Sequence, residues 1–362
     1  MAGGANTGNG KPSGPRRRAT IADVARRAGV AVSTVSYALS GKRPLLASTR
    51  TRILRAIDEL GYEPSPAARA LPSRSSRTIA LFLPSRRWRG MPETHTFIAG
   101  AAEATSEAGY GLLFSAAPSD PREVTEVLDA GRADGVILME VYLEDARVER
   151  LRARGDAFAL IGHCADNTGV SFVDFDFADA VRQGVLHLAR LGHSRVALFN
   201  CSAGATRAGY GPGVRSLQAF TETTAELGLE PIVIGRDDTQ AQLSAAARRL
   251  LAREPRCRGV VTVAAHFTGV LTAAAERGLL VGHDVDVVSV TTPQLAELLV
   301  PTLATVDFPA LEMGRLGAEM LIRRLAGERV ATQTLLRGEL RVRGVRRRGP
   351  SVSRAARAAA SG

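Results

Sequence analysis

Nine short apolar runs alternate with longer amphipathic segments between Arg77 and Val290, and that rhythm limits the possible folds more than any other feature of the 362-residue chain. The runs span 78–84, 111–116, 134–140, 157–162, 170–175, 195–200, 231–235, 259–265 and 284–290. Runs this short and this apolar suit strands buried on both faces. The segments between them, at 97–108, 179–191, 214–227, 244–252 and 270–277, have the length and periodicity of helices. Strand and helix in alternation imply parallel sheets covered on both sides. Nine strands exceed one compact lobe, so the region reads as more than one sheet.

Upstream of Arg77 the strand pattern is absent and a helical one takes its place. Thr20 reads as an N-cap with the acidic Asp23 three positions on. Ile21, Val24, Ala25 and Ala28 then fall on one helical face, and Gly29 breaks the helix where a turn is needed. A second helix is expected from about Val32 to Leu39, with Val35 and Leu39 facing inward and Ser40-Gly41 ending it. A third, from about Thr49 to Leu60, is expected to pack Ile53, Ile57 and Leu60 and to close at Gly61. Three short helices with a Gly-containing turn between the first two make a helix-turn-helix. Val32, Ser33 and Tyr37 would then face away from the small core near the start of the second helix, the part a recognition helix lays on base edges. Thr34, Ser36, Ser40, Thr49 and Arg50 are short or basic donors suited to phosphates. A helical bundle with a solvated polar face is the competing account.

Charge favours the nucleic-acid reading. Residues 1–76 hold 13 Lys or Arg against 4 acids, and residues 337–362 hold 8 Arg against Glu339. The whole chain carries +11, so the stretch between is mildly acidic. A basic domain on an acidic body is the footprint of a nucleic-acid binder. No apolar run reaches the roughly 18 residues of a membrane span. The first 19 residues lack the apolar stretch of a secretory signal. The expected location is therefore the cytoplasm, without a membrane partner. Cys164, Cys201 and Cys257 are odd in number and widely spaced, which argues for buried thiols rather than disulfides.

The segments TIADVARRAGVAVSTVSYALSG (20–41) and TRTRILRAIDELGYEPSPAARAL (49–71) resemble the headpiece and hinge of the lactose-repressor/galactose-repressor (LacI/GalR) family. The resemblance implies a transcription regulator that binds a double-stranded DNA operator as a homodimer. It puts Val32, Ser33 and Tyr37 at base-reading positions and adds Thr20, Ala68 and Arg69 to the DNA contacts. It makes Leu71 an apolar wedge that kinks the operator through the minor groove. Ala31 stands where relatives have a Ser N-cap, and Pro72 departs from the usual exit of the hinge. Similarity continues more loosely through Asp134-Gly-Val-Ile, His187–His193 and Pro301–Val306. The implied fold is an all-α helix-turn-helix headpiece on an α/β two-lobed, periplasmic-binding-protein-like core with parallel sheets and Rossmann-like lobes. The expected divisions are a leader (1–19), headpiece (20–63), hinge (64–76), core (77–345) and basic tail (346–362). Within the core, lobe one is expected over 77–174 plus 291–308 and lobe two over 175–290 plus 309–345.

Such a core takes a small-molecule effector between its lobes at the carboxyl ends of the strands. Glu140, His163, Arg215, His266 and Thr291 fall in the loops expected there, beside 84–88 and 210–215. Relatives place Asn-Asp where Ala265-His266 stands and an Asp pair where Thr291-Thr292 stands, so the effector is expected to be something other than a simple sugar, or the pocket has lost its ligand. Catalysis has no sequence support: there is no Gly-x-Ser-x-Gly elbow, Walker loop or dinucleotide fingerprint. The six histidines form no i, i+4 metal pair, and His187 and His193 read as caps at a helix end. Gly209–Gly213 reads as a turn. No cofactor or metal is expected. A solute-binding protein would share the core but lack the headpiece, and a core that senses nothing is a further alternative.

Overall fold

The computed structural model describes residues 19–40, 45–62, 75–83, 93–115, 120–235, 240–263, 266–299, 303–328 and 331–343. The chain divides into two compact units, Met1–Ser76 and Arg77–Gly362. The first holds α1 (Ile21–Ala28), α2 (Val32–Ser40) and α3 (Ala47–Leu60). The Thr20 hydroxyl accepts from the Asp23 amide at 3.3 Å while the Asp23 carboxylate accepts from the Thr20 amide at 2.9 Å, closing a capping box. Gly29 sits at φ 63°, the left-handed geometry a side chain resists, and turns the chain into α2. Val24, Ala25, Ala28, Val35, Ile53, Ala56 and Tyr62 form the core of this unit. Burying one such aliphatic side chain contributes about 1.5–3 kcal/mol. Two inward positions differ from expectation. Leu39 and Leu60 are exposed, and Ala38 and Ala56 face the core in their place. Helices this close leave room for Ala, not Leu, at those points.

The second unit holds two six-stranded sheets. Sheet one has the order β11-β5-β4-β3-β1-β2, from β1 (Thr78–Phe82), β2 (Gly111–Ser115), β3 (Gly135–Leu138), β4 (Phe158–Ile161), β5 (Phe172–Phe175) and β11 (Gln333–Leu336). All its pairings are parallel. Sheet two has the order β12-β10-β9-β8-β6-β7, from β6 (Arg195–Phe199), β7 (Glu230–Ile234), β8 (Gly259–Val263), β9 (Asp286–Thr291), β10 (Ala304–Asp307) and β12 (Leu340–Arg341). Only β12 runs antiparallel to its neighbour. The nine apolar runs are the first nine strands, nearly all fully buried in β3, β4, β5, β8 and β9. That continuous burial is why their sequences are apolar without alternation.

The helices that matter for the cleft are α4 (Glu93–Glu107), α5 (Pro121–Asp129), α6 (Ala146–Arg154), α7 (Phe177–Arg190), α8 (Ala203–Arg207) and α9 (Gly211–Glu226). They are followed by α10 (Gln240–Arg253), α11 (Phe267–Glu276), α12 (Pro293–Glu297) and α13 (Ala310–Leu325). The lobe boundaries differ from those expected. β10 pairs with β9 and so belongs to lobe two, whereas α13 and β11 return to lobe one. The reason is packing. α13 lies so close to α4 that a Cβ on Gly100 would sit 2.0 Å from the Leu311 carbonyl oxygen, and one on Gly314 2.1 Å from that of Phe97. The amphipathic pattern of α13 demands burial without naming the sheet that supplies it. The chain crosses between lobes three times, at Asp176, at 308–309 and at 337–339.

His193 also differs from its expected capping role. Its Nε2 lies 2.8 Å from the Asp286 carboxylate at the start of β9, and its ring fills the space beside Gly259.

Candidate DNA-reading face and interlobe cleft

In the headpiece, the capped α1 and the αL turn at Gly29 fix where α2 begins. The Ala31 carbonyl accepts the amides of Thr34 at 2.9 Å and Val35 at 3.3 Å, but its methyl side chain offers no cap. Val35 is anchored in the core, which leaves Val32, Ser33 and Tyr37 on the exposed side, with Val32 46 % and Tyr37 36 % accessible. Thr34 and Ser36 are half-buried on its flanks. Ser40 is the last residue of α2. On α3, Thr49 is half-buried, while Arg50, Arg52 and Arg55 are exposed. Two other arginines already hold acids: Arg27 pairs with Glu59 at 2.5 Å and Arg26 with Asp23 at 3.3 Å. Short polar side chains surround one aromatic ring on α2, and exposed arginines stand on α3. Ala68, Arg69 and Leu71, and with them residues 64–74 of the hinge, lie outside the described residues, as do the loop at 84–88 and Ala265.

In the core, a cleft lies between the carboxyl ends of the two sheets. Its space, open mouth included, is about 790 Å³, within the range typical of small-molecule sites. Most of its wall is apolar: Phe97, Phe177, Phe308, Met139, Val263 and Val290 among others. Thr94, Glu140, Asp174, Cys201 and Tyr210 supply its polar atoms.

Glu140 is held there at φ 49°, one of two non-glycine residues in the left-handed region among those described. Such backbone persists only when its surroundings enforce it. The enforcement comes from Arg147, whose Nη2 donates to the Glu140 carbonyl at 3.0 Å and the Met139 carbonyl at 3.4 Å. Asp145 in turn receives Arg147 Nη2 at 2.6 Å and Nε at 2.9 Å, caps α6 through the Arg147 amide, and accepts the Tyr142 amide at 3.3 Å. Both side chains are almost fully buried. Burial opposes both charges. The Arg147 guanidinium and the two backbone amides nevertheless hold the Asp145 carboxyl below its ordinary value, and Asp145 raises Arg147.

On the far wall, Asp174 Oδ2 lies 2.6 Å from His163 Nδ1 and 3.5 Å from Arg215 Nη1, and Arg215 Nη2 donates to the His163 carbonyl at 2.9 Å. The His163 ring stacks on Phe172 at 4.9 Å. Burial pulls the Arg215 guanidinium below its ordinary value, with Asp174 opposing. Of the five residues expected at an effector site, Glu140 lines the cleft, and His163 and Arg215 brace the wall behind it. His266, whose Nδ1 lies 3.5 Å from the Phe199 carbonyl, and the fully buried Thr291 are not part of the lining. Tyr210, in the loop expected at 210–215, does line the cleft, whereas sequence reasoning missed Asp174, Thr94 and the aromatic wall. The missed signal was an acid inside the apolar run 170–175, a place where charge is unusual without a task. Cys164 and Cys257 are buried thiols, pushed up by burial to about 12 and about 11, far from reactive thiolate. Among the described residues no group of acidic, His or Cys side chains could hold a metal, and no helix is long and apolar enough to cross a membrane.

A three-helix reader with an exposed recognition face and a two-lobed α/β core with an interlobe cleft define a class of DNA-binding regulators. Residues 20–65 match the family described as bacterial regulatory proteins, lacI family, and residues 185–344 match the periplasmic binding protein-like domain. The chain is 31 % identical over 329 residues to the HTH-type transcriptional regulator CelR of Thermobifida fusca, covering 86 % of this chain and 94 % of that one. It is 31 % identical over 323 residues to the HTH-type transcriptional regulator MalR of Streptomyces coelicolor, covering 85 % and 90 %. A solved CelR–cellobiose complex superposes with a TM-score of 0.65 at 28 % identity, over 90 % of this chain and 99 % of that one. A lac repressor dimer bound to operator and the anti-inducer ONPF gives 0.75 at 23 %, over 90 % and 98 %, and shows the shared fold. The chain belongs to the lacI family of bacterial regulatory proteins. It is a DNA-binding transcription regulator and not an enzyme.

Proposed function

We propose that the protein is a cytoplasmic repressor that binds a pseudo-palindromic operator as a homodimer, with affinity set by a small molecule in the interlobe cleft. The observation that carries this reading is the division of α2: Val35 locked inward, Val32, Ser33 and Tyr37 outward at the helix's start. In this reading Val32, Ser33 and Tyr37 meet base edges. Thr20, Thr34, Ser36, Ser40, Thr49 and Arg50 meet phosphates, as does Arg69. Ala68 and Leu71 enter the minor groove. Missing its side-chain cap, α2 is held loosely at its start and firms on DNA.

Selection from a random pool of duplexes tests the proposal. Enrichment of a two-fold-symmetric site supports it; a pool that stays unenriched at moderate salt overturns it. For the effector, Glu140 and Asp174 supply acceptors, Thr94 and Tyr210 hydroxyls, and the phenyl rings an apolar floor. The chain places no amide from Asn or Gln in the described lining, which supports an effector with a larger apolar face than a simple sugar has. The second reading is a sugar effector, favoured by the cellobiose complex of CelR. Calorimetry with cellobiose and ribose separates the two: tight binding of either sinks the first reading. In both, effector acts only through unequal affinity for two lobe arrangements.

A further inference from the structure

We propose that Arg215 is a positioning residue that clasps the two lobes together before any effector arrives. Arg215 stands on the second turn of α9 in lobe two, yet its guanidinium reaches into lobe one, to the His163 carbonyl at 2.9 Å and Asp174 Oδ2 at 3.5 Å. Asp174 is fixed in turn. Its Oδ2 holds His163 Nδ1 at 2.6 Å, and its Oδ1 accepts the Phe175 amide at 2.7 Å. The Arg215 side chain is 18 % accessible and that of Asp174 2 %, so water replaces little of this contact while the lobes stay together.

The clasp does not act alone. Beside it the Leu143 amide donates to the Gly209 carbonyl at 2.8 Å and the Gly211 amide to the Val141 carbonyl at 3.2 Å. Tyr142 and Tyr210 meet across the same seam with ring centres 5.8 Å apart. Gly211 leaves the room in which the guanidinium lies: a Cβ there would come within 2.5 Å of Arg215 Nη1 and 3.3 Å of the Val141 carbonyl oxygen. Opening the lobes breaks both Arg215 contacts and leaves Asp174 with His163 and the Phe175 amide, so the closed arrangement is held by hydrogen bonds that opening removes, against the cost of burying the guanidinium. A charged fork with two acceptors fixes direction as well as distance. The closed arrangement is therefore an intrinsic state of this core, which an effector adjusts and does not have to create.

Hydrogen exchange on the ligand-free, full-length protein tests this, because the Leu143 amide is bonded across the seam whereas the Gly162 amide is bonded to Val173 within lobe one. Arg215→Met should speed exchange at Leu143 roughly tenfold or more and leave Gly162 unchanged. Unchanged exchange at Leu143 overturns the clasp. If Arg215→Met speeds both amides alike, its effect is on folding, and Gly211→Ala decides. That variant keeps every charge, suits a helix start and crowds the guanidinium most, at 2.5 Å, with the Val141 carbonyl oxygen tight at 3.3 Å. Faster exchange confined to Leu143 then supports the clasp, and wild-type exchange there refutes it.

Discussion

The headpiece and the cleft solve opposite problems with polar groups. On α2 and α3 the polar and basic side chains are mostly solvated and carried by a core of seven buried residues. In the cleft they are buried and held by one another: Asp145 by Arg147, Asp174 by His163 and Arg215. A surface that meets a polyanion gains by shedding water and counterions when it docks, so it can stay solvated until then. A pocket for a small ligand must hold its groups in place beforehand, because a small molecule offers too few contacts to order them.

Four measurements break or sharpen this contrast. The largest effect is salt on the headpiece. A site making about six phosphate contacts should lose about 10³-fold in operator affinity between roughly 50 and 200 mM salt, whereas effector binding in the cleft should barely respond. A flat operator plot from fluorescence titrations would erase the distinction.

Next is Asp145→Asn, which leaves Arg147 buried without its counter-charge and should cost about 3–5 kcal/mol in denaturant unfolding of the core. The same pair fixes a pH dependence. Because the folded carboxyl lies below its ordinary value, its contribution is complete above about pH 4 and is lost as pH falls below that. Wild-type melting temperature should therefore drop on acidification with a steeper slope than that of Asp145→Asn. Equal slopes would remove Asp145 from the account.

Smaller is Tyr37→Ala, expected to lose about 1–3 kcal/mol of discrimination at one operator position. Uniform weakening over all sequences would reassign Tyr37 to the phosphates. Smallest is Thr20→Ala, where losing the capping box should lower headpiece stability by about 1 kcal/mol, read from its thermal transition. No change would mean Asp23 alone holds the helix start.

The two regions also differ in how openly the sequence displays them. The headpiece was legible because its determinants are local: Thr20 and Asp23 three apart, Gly29 at the turn, Val35 in and Tyr37 out on one helix. Even there Leu39 and Leu60 were misplaced, since apolar character alone does not say how closely two helices approach. In the core the nine strands could be read from their apolar runs, but β10, β11 and β12 are short, and β11 and β12 are partly exposed, with little apolar contrast. The cleft was harder. Glu140, Asp174 and Tyr210 are brought together by sheet order, which periodicity does not encode. Asp145 and Arg147 stand at a helix start, where charges are common, and only burial and their contacts reveal that they hold the Glu140 loop.

Because β11 completes sheet one and β12 sheet two, neither lobe is a continuous stretch of chain. During synthesis β5 and β10 stay without these neighbours until residues 333–341 have been made. A stop codon just before Gln333 would release a protein in which β5 and β10 become bare edge strands, the kind of surface that seeks strands from other molecules. Truncation before Gln333 would thus endanger solubility as much as regulation.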